Sequence, residues 1–333
     1  MPQPTIVRST RASRIGMIAA VFLVGLLTLA PWWSSPASMR LITEFLVYLA
    51  LACMWNLLAG YAGLLSIGQH AYVGFGGYAM FSCALFLGIG PLYAVPIAGV
   101  AAALISIPVA FLVFRLKGPY FAIGTWVVAE VFRLSAAQMS MVGGGSGLSI
   151  PISVMKALGS KSEREMLVYF ASLVLCLGTV ALVYLLLRSR LGLALTAIRD
   201  SEVASSSLGA RIGRIKLVAY VIVAATTSMI GALIFVTKLR ITPDAAFSVN
   251  DWTVFVIFIV VIGGIGSIEG PIVGTLLYFV LREFLSGLGA VYLMILGGMA
   301  ILIMLMAPKG IWGLVNQRFG LSLFPIGYRV KDV

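Results

Sequence analysis

Apolar residues in this chain fall in runs of about twenty, the length of helix needed to cross a bilayer, separated by short polar or glycine-rich breaks. Setting the runs against the breaks predicts helices at 15–33, 41–59, 69–88, 92–114, 119–138, 166–187, 217–237, 252–264, 270–285 and 290–307. At about 1.5 Å per residue such runs span roughly 30 Å of hydrocarbon. Backbone groups find no hydrogen-bond partner in lipid, so they must pair within their own segment. The pattern therefore predicts an all-α integral membrane protein of about ten transmembrane helices with glycine-broken segments. It divides into a basic N-terminal tail (1–14), a membrane domain (15–307) and a C-terminal tail (308–333).

Composition agrees. Of 333 residues, 61% are hydrophobic and 10% charged, whereas a soluble domain is about one quarter charged. The net charge of +12 sits in short loops rather than on one soluble face, which argues for membrane topology and lipid contact and against nucleic acid. With the N-terminus in the cytoplasm, Arg8, Arg11, Arg14, Arg115, Lys117 and the arginines of 188–216 fall on that side. Fewer basic residues, among them Arg40, Lys156, Lys161, Arg164, Lys238 and Arg240, fall outside, as the positive-inside rule expects. An even number of spans then makes both termini cytoplasmic. The run at 15–33 is longer than a signal-peptide core and lacks a small-residue cleavage site, so it reads as a retained first helix. Trp32, Trp33, Trp252 and Trp312 fall near predicted helix ends, where belt tryptophans gather.

The sequence argues against an enzyme. It has one histidine, and Cys53, Cys83 and Cys176 show no metal-site spacing, so no metal site is expected. No zinc-binding His-Glu-x-x-His, nucleophile elbow or phosphate-binding Gly-x-x-x-x-Gly-Lys-Ser/Thr loop is present.

Two glycine-rich breaks interrupt the helical pattern: Gly60 through Ser66 and Gly68 to Gln69 and His70, and Gly263 through Gly264, Gly266 and Glu269 to Pro271. Such breaks are the mark of discontinuous helices around a solute path, or of tight cytoplasmic hairpins. Gly266, Gly270 and Gly274 also recur at a spacing that lets two helix backbones approach closely. Ionisable groups in a membrane are functional candidates by default. Glu130 and Arg133 are spaced for an ion pair, and Glu269 is placed to accept bonds from backbone donors freed at the second break. The longest polar stretch, 188–216, alternates apolar and polar positions at helical spacing over 193–208 and reaches Gly209 where a C-cap belongs. It predicts an amphipathic helix on the cytoplasmic face, lying on anionic lipid or docking a protein.

Within that stretch Ala197, Ile198, Arg199, Asp200, Glu202, Ala204, Leu208 and Gly209 match Ala-Ile-Arg-Asp-x-Glu-x-Ala-x-x-x-Leu-Gly. This resembles the coupling loop of LivM-like permeases, the membrane subunits of branched-chain amino acid ABC importers. Gly60 to Tyr78, Gly118 to Gly124, Gly143-Gly144-Gly145-Ser146-Gly147-Leu148, Gly263 to Gly274 and Ala307 to Gly313 are also similar to family segments, in the right order. Two departures are the glycine at 143 in place of the family's threonine, and Ser205-Ser206-Ser207 where charged residues or alanine are commoner. The resemblance implies an importer that works by alternating access in the bacterial inner membrane. Arg199, Asp200, Glu202, Ala204, Leu208 and Gly209 would couple to the ATPase. Ser66, Gln69, His70, Glu130, Gly144, Gly145, Gly264, Gly266 and Glu269 are the candidates for the translocation path. It implies no cofactor on this chain, ATP being hydrolysed by two cytoplasmic ATPase subunits. A homologous second, LivH-like permease and a periplasmic or extracellular solute-binding protein complete the implied assembly. The solute stays open among branched-chain amino acids, urea, short amides and aromatic acids. An ion-coupled secondary transporter would share the helices and breaks without needing a docking segment.

Overall fold

The computed structural model describes residues 5–7, 11–151, 154, 159–285, 287, 289, 291–319, 323–324 and 329–331; Arg8, Lys156 and parts of both tails lie outside these. The described chain is almost wholly helical. It opens with β1 (Thr5–Val7), α1 (Arg11–Leu29), α2 (Pro36–Asn56), α3 (Gln69–Phe86), α4 (Pro91–Val113) and α5 (Pro119–Gln138). After strand β2 (Leu148–Ser149) come α6 (Lys161–Arg188), the short pair α7 (Arg190–Asp200) and α8 (Glu202–Ser207), and α9 (Ile212–Val236). Strand β3 (Arg240–Ile241), α10 (Pro243–Ala246), α11 (Phe255–Gly263), α12 (Glu269–Leu285), α13 (Val291–Met306), α14 (Gly310–Phe319) and β4 (Arg329–Lys331) complete it.

Among the described residues, eight stretches are long and apolar enough to cross a membrane, rather than about ten: Ser13–Trp32, Pro36–Tyr61, Pro91–Val113, Pro119–Gln138, Lys161–Arg188, Ile212–Val236, Pro243–Gly263 and Val291–Phe319. The two expected spans that fall short are α3 and α12. Gln69, His70 and several glycines dilute the apolar content of α3, while α12 has 17 residues and carries Glu269, Arg282 and Glu283. Both are helices, but they complete the bundle's interior more than they define its lipid face. The pairing of β1 with β4 brings the two termini to one end of the molecule.

At the centre, α9 packs against both α3 and α4, α2 packs along α6, and α11 lies on α12. Lipid tails are as apolar as leucine, so these contacts are held by close fit rather than by escape from water. The fit depends on small residues. A Cβ on Gly231 would fall 2.6 Å from the Cα of Val73, and one on Gly263 would fall 2.8 Å from the backbone nitrogen of Gly274. The repeat of Gly270 and Gly274 thus serves helix packing, as its spacing predicts, whereas Gly266 sits in the preceding turn with φ +77°. Trp252 departs from the belt expectation. It is buried, donates from Nε1 to the Ala245 carbonyl at 3.0 Å and stacks on Tyr48, because the apolar span that holds it starts at Pro243 and places it in a π-helical turn, Asn250–Val254, inside the bundle. Trp32 and Trp33 are exposed at a helix end, consistent with a belt.

Candidate functional site

The expected single amphipathic helix at 193–208 is two helices. Ser201 adopts an extended backbone and accepts from the Ala204 backbone N–H at 3.2 Å, so it starts α8 where a continuous helix would have run through. N-capping by serine stabilises a helix start by about 1 kcal/mol. The Gly209 backbone has φ +82°, the left-handed conformation that ends a helix and that glycine adopts without strain. Leu195 and Ile198 are buried and hold α7 to the bundle. Leu193, Val203 and Leu208 point away, 73%, 77% and 90% exposed, beside Asp200 and Glu202. Glu202 pairs with Lys216 near the start of α9, tying α8 to a membrane helix.

Arg199 turns the other way. Its Nη1 donates to the carbonyl of Gly60 at 2.7 Å, and its Nε to Asp200 Oδ1 at 2.9 Å. Gly60 lies in a π-helical turn, Leu57–Tyr61, that ends α2; such turns are frequent at functional sites. One turn back, Asn56 is buried and clamps the second break: its Nδ2 donates to the Ser267 carbonyl and its Oδ1 accepts from the Gly266 backbone N–H, both at 2.8 Å. A Cβ on Gly60 would fall 2.6 Å from the Gly266 nitrogen. The two breaks, remote in sequence, therefore touch each other and the α7–α8 pair at one end of the bundle. Asn56 was not among the sequence candidates. The signal that marked it is its position as a lone amide within the apolar run 41–59.

The breaks are not alike. The second is a hairpin in which α12 returns along α11, and its apex packs on the turn before α14, where a Cβ on Gly310 would fall 2.6 Å from the Gly264 nitrogen. The first climbs back into the bundle. Trp55 Nε1 donates to the Ser66 carbonyl at 2.8 Å, and the Ile67 N–H donates to Thr125 Oγ1 at 3.1 Å. Gln69 Nε2 then donates to the Leu51 carbonyl at 3.3 Å and to Thr227 Oγ1 at 3.1 Å. Leu51 lies about 13 Å from Gly60 along α2 at the rise of a helix, so α3 starts inside the bundle, with the positive end of its dipole buried there. His70 Nδ1 lies 2.9 Å from Thr253 Oγ1, and Gln69 Oε1 is buried without a partner among the described residues.

The remaining candidates lie elsewhere. Arg133 holds Glu130 through its Nε at 3.0 Å and reaches Asp244 at 2.6 Å, so the expected pair is present and bridges α5 to α10. Gly144 and Gly145 sit in a loop at the end of the bundle away from α7, next to the β2–β3 pair. Glu269 is buried and accepts from the Leu323 and Phe324 backbone N–H groups at 2.9 Å, holding the C-terminal segment. Among the described residues, no cluster of His, Cys, Asp or Glu is placed to hold a metal.

A bundle of apolar helices long enough to cross a membrane, an interior helix start and an amphipathic pair presented at one end together define a polytopic helical membrane protein. The chain belongs to the family described as branched-chain amino acid transport system / permease component, which it matches over residues 37–305. It is similar to the high-affinity branched-chain amino acid transport system permease protein LivM of Escherichia coli (strain K12), with 32% identity over 91% of this chain and 77% of that protein. The protein of the same description from Salmonella typhimurium (strain LT2) is 31% identical over the same shares. A probable branched-chain amino acid transport permease protein LivM of Methanocaldococcus jannaschii is 27% identical over 52% of this chain and 49% of that one. No solved structure matches the chain.

Proposed function

We propose that this permease imports branched-chain amino acids by alternating access, driven by ATP that two separate cytoplasmic subunits hydrolyse against α7 and α8. A LivH-like second permease completes the path, and a solute-binding protein delivers the solute at the opposite end. The observation that carries this reading is the contact of Arg199 with Gly60. A residue on the exposed coupling pair holds the apex of one helix break, and Asn56 links that apex to the other break. A push on α7 and α8 reaches both breaks through a few hydrogen bonds, and helix ends of this kind are where rigid elements pivot. Leu193, Val203 and Leu208 supply an apolar knob for a docking groove, while Lys216 and Glu202 brace it from behind.

The test is reconstitution of the complete importer in proteoliposomes. Arg199→Ala removes a charge-assisted bond worth about 1 kcal/mol at this partly exposed site, so the protein should fold. Expected is solute-stimulated ATP hydrolysis within about twofold of the parent with leucine uptake at least about tenfold lower, a transmission loss of roughly 1.4 kcal/mol. Equal loss of both, or of neither, would remove Arg199 from the coupling route. Uptake that collapses with a protonophore while ATP is held constant would favour an ion-coupled transporter instead.

A further inference from the structure

At the end of the bundle remote from α7 and α8, a cavity of about 650 Å³ opens between the starts of α2 and α6 and the end of α9. Ligand pockets for small molecules span about 300–1,000 Å³. Its rim is charged, with Arg40, Glu44, Lys161, Arg164, Glu165 and Lys238, and its floor is apolar, with Val47, Val168, Leu233 and Val236. Both carboxylates of the rim are engaged. Glu165 lies 3.5 Å from Arg40, and Glu44 accepts from Arg282 at 2.6 Å.

Lys238 is held differently. Its ammonium sits over the rings of Phe235 at 4.9 Å and Trp252 at 5.6 Å from the centroids, with no carboxylate within ion-pairing distance among the described residues. Burial pushes its pKa down, against the pull of Asp251 and Glu44. In the same wall Ser172 is buried, its hydroxyl without a hydrogen-bond partner among the described residues. A cation with no carboxylate at ion-pairing distance and an unsatisfied hydroxyl, both lining a cavity with an aliphatic floor, are what a small carboxylate with a branched apolar tail would satisfy.

We propose that this cavity is an entry subsite for the free amino acid: the solute carboxylate pairs with Lys238, and its aliphatic side chain packs on Val47, Leu233 and Val236. The inference rests on the import reading and adds the place where this chain first holds its solute. The position supports it, since α2, α6 and α9 each run from the cavity to the coupling end. The triglycine loop is adjacent, because the Ile150 N–H donates to the carbonyl of Leu239 on the cavity rim at 2.9 Å.

The experiment is calorimetric titration of leucine, and separately of leucinamide, into the purified importer in nanodiscs without the solute-binding protein. Expected is leucine binding that weakens about tenfold or more in Lys238→Gln, returns to within about threefold of the parent in Lys238→Arg and weakens about threefold in Ser172→Ala, the range for loss of one charged or one neutral hydrogen bond. Leucinamide, lacking the carboxylate, should bind poorly and alike in all four. Leucine affinity that is unchanged in Lys238→Gln, or absent in the parent, would overturn the proposal. So would a heat that tracks the phosphatidylglycerol or phosphatidylethanolamine content of the nanodisc rather than leucine, which would make the cavity a lipid site. The import reading is judged apart from this, by uptake of labelled leucine into proteoliposomes by the parent importer with its binding protein. If uptake is present and the cavity fails its titration, the subsite alone falls.

Discussion

A single amide decides how the two halves of the helical pattern meet. Asn56 satisfies one carbonyl and one N–H of the second break from inside an apolar helix, and hydrocarbon offers those groups no replacement partner. Asn56→Leu keeps the volume but leaves the Gly266 N–H and the Ser267 carbonyl unmet, a loss of about 2–3 kcal/mol. Thermal unfolding in detergent should show it as a clear drop in melting temperature, whereas Arg199→Ala should melt close to the parent. That contrast separates a residue that holds the breaks together from one proposed to transmit motion to them. Nothing in the apolar run announced the partner of Asn56; the sequence marked it as polar and out of place, and only the fold shows Gly266 opposite it.

Among the elements, the α7–α8 pair is legible in the sequence as an amphipathic helix but not as two helices. The spacing of Leu195 and Ile198 against Arg199 and Asp200 shows an amphipathic helix, and Gly209 shows where it ends. Ser201 looked like one more polar position on its face. Whether a serine sits on a helix or caps a new one depends on a backbone change that tertiary contacts select, here the pull of Arg199 toward Gly60 and of Glu202 toward Lys216. Ser201→Ala removes about 1 kcal/mol of capping from the start of α8 and should lower the melting temperature of the intact protein in detergent slightly. In the intact importer it should lower coupling efficiency, read as leucine moved per ATP, by less than Arg199→Ala does. Full efficiency in Ser201→Ala with an unchanged melting temperature would mean that the break at 201 is not set by the cap. Glycines behave oppositely: Gly270 and Gly274 announced close helix packing by spacing alone, because nothing but a missing side chain is needed.

For the whole molecule the arrangement is directional, with the amphipathic pair α7 and α8 at one end and the charged-rimmed cavity at the other. The topology is open to a direct check. A lone cysteine at Ser206, in a background with Cys53, Cys83 and Cys176 replaced, should resist a membrane-impermeant maleimide added outside sealed spheroplasts and react once the membrane is opened. Rapid labelling from outside would invert the assignment of ends. The three native cysteines are buried, so their replacement by alanine or serine is needed only to silence the opened state.

Legible in the sequence alone is what depends on short range: runs long enough to cross hydrocarbon, glycines that permit close approach, and the motif set that resembles the permease family. These follow from how a backbone and its own side chains meet lipid and water, a matter settled within some twenty residues. What only the tertiary structure decided is which distant groups share a place: that α3 begins inside the bundle while the second break is a plain hairpin, that α3 and α12 complete the interior beside eight clear spans, that Trp252 leaves the membrane belt for the core, and that Lys238 faces rings instead of a carboxylate. Each of those depends on packing between segments remote in sequence, where one hydrogen bond or one missing side chain selects among arrangements that local preference leaves nearly equal in energy.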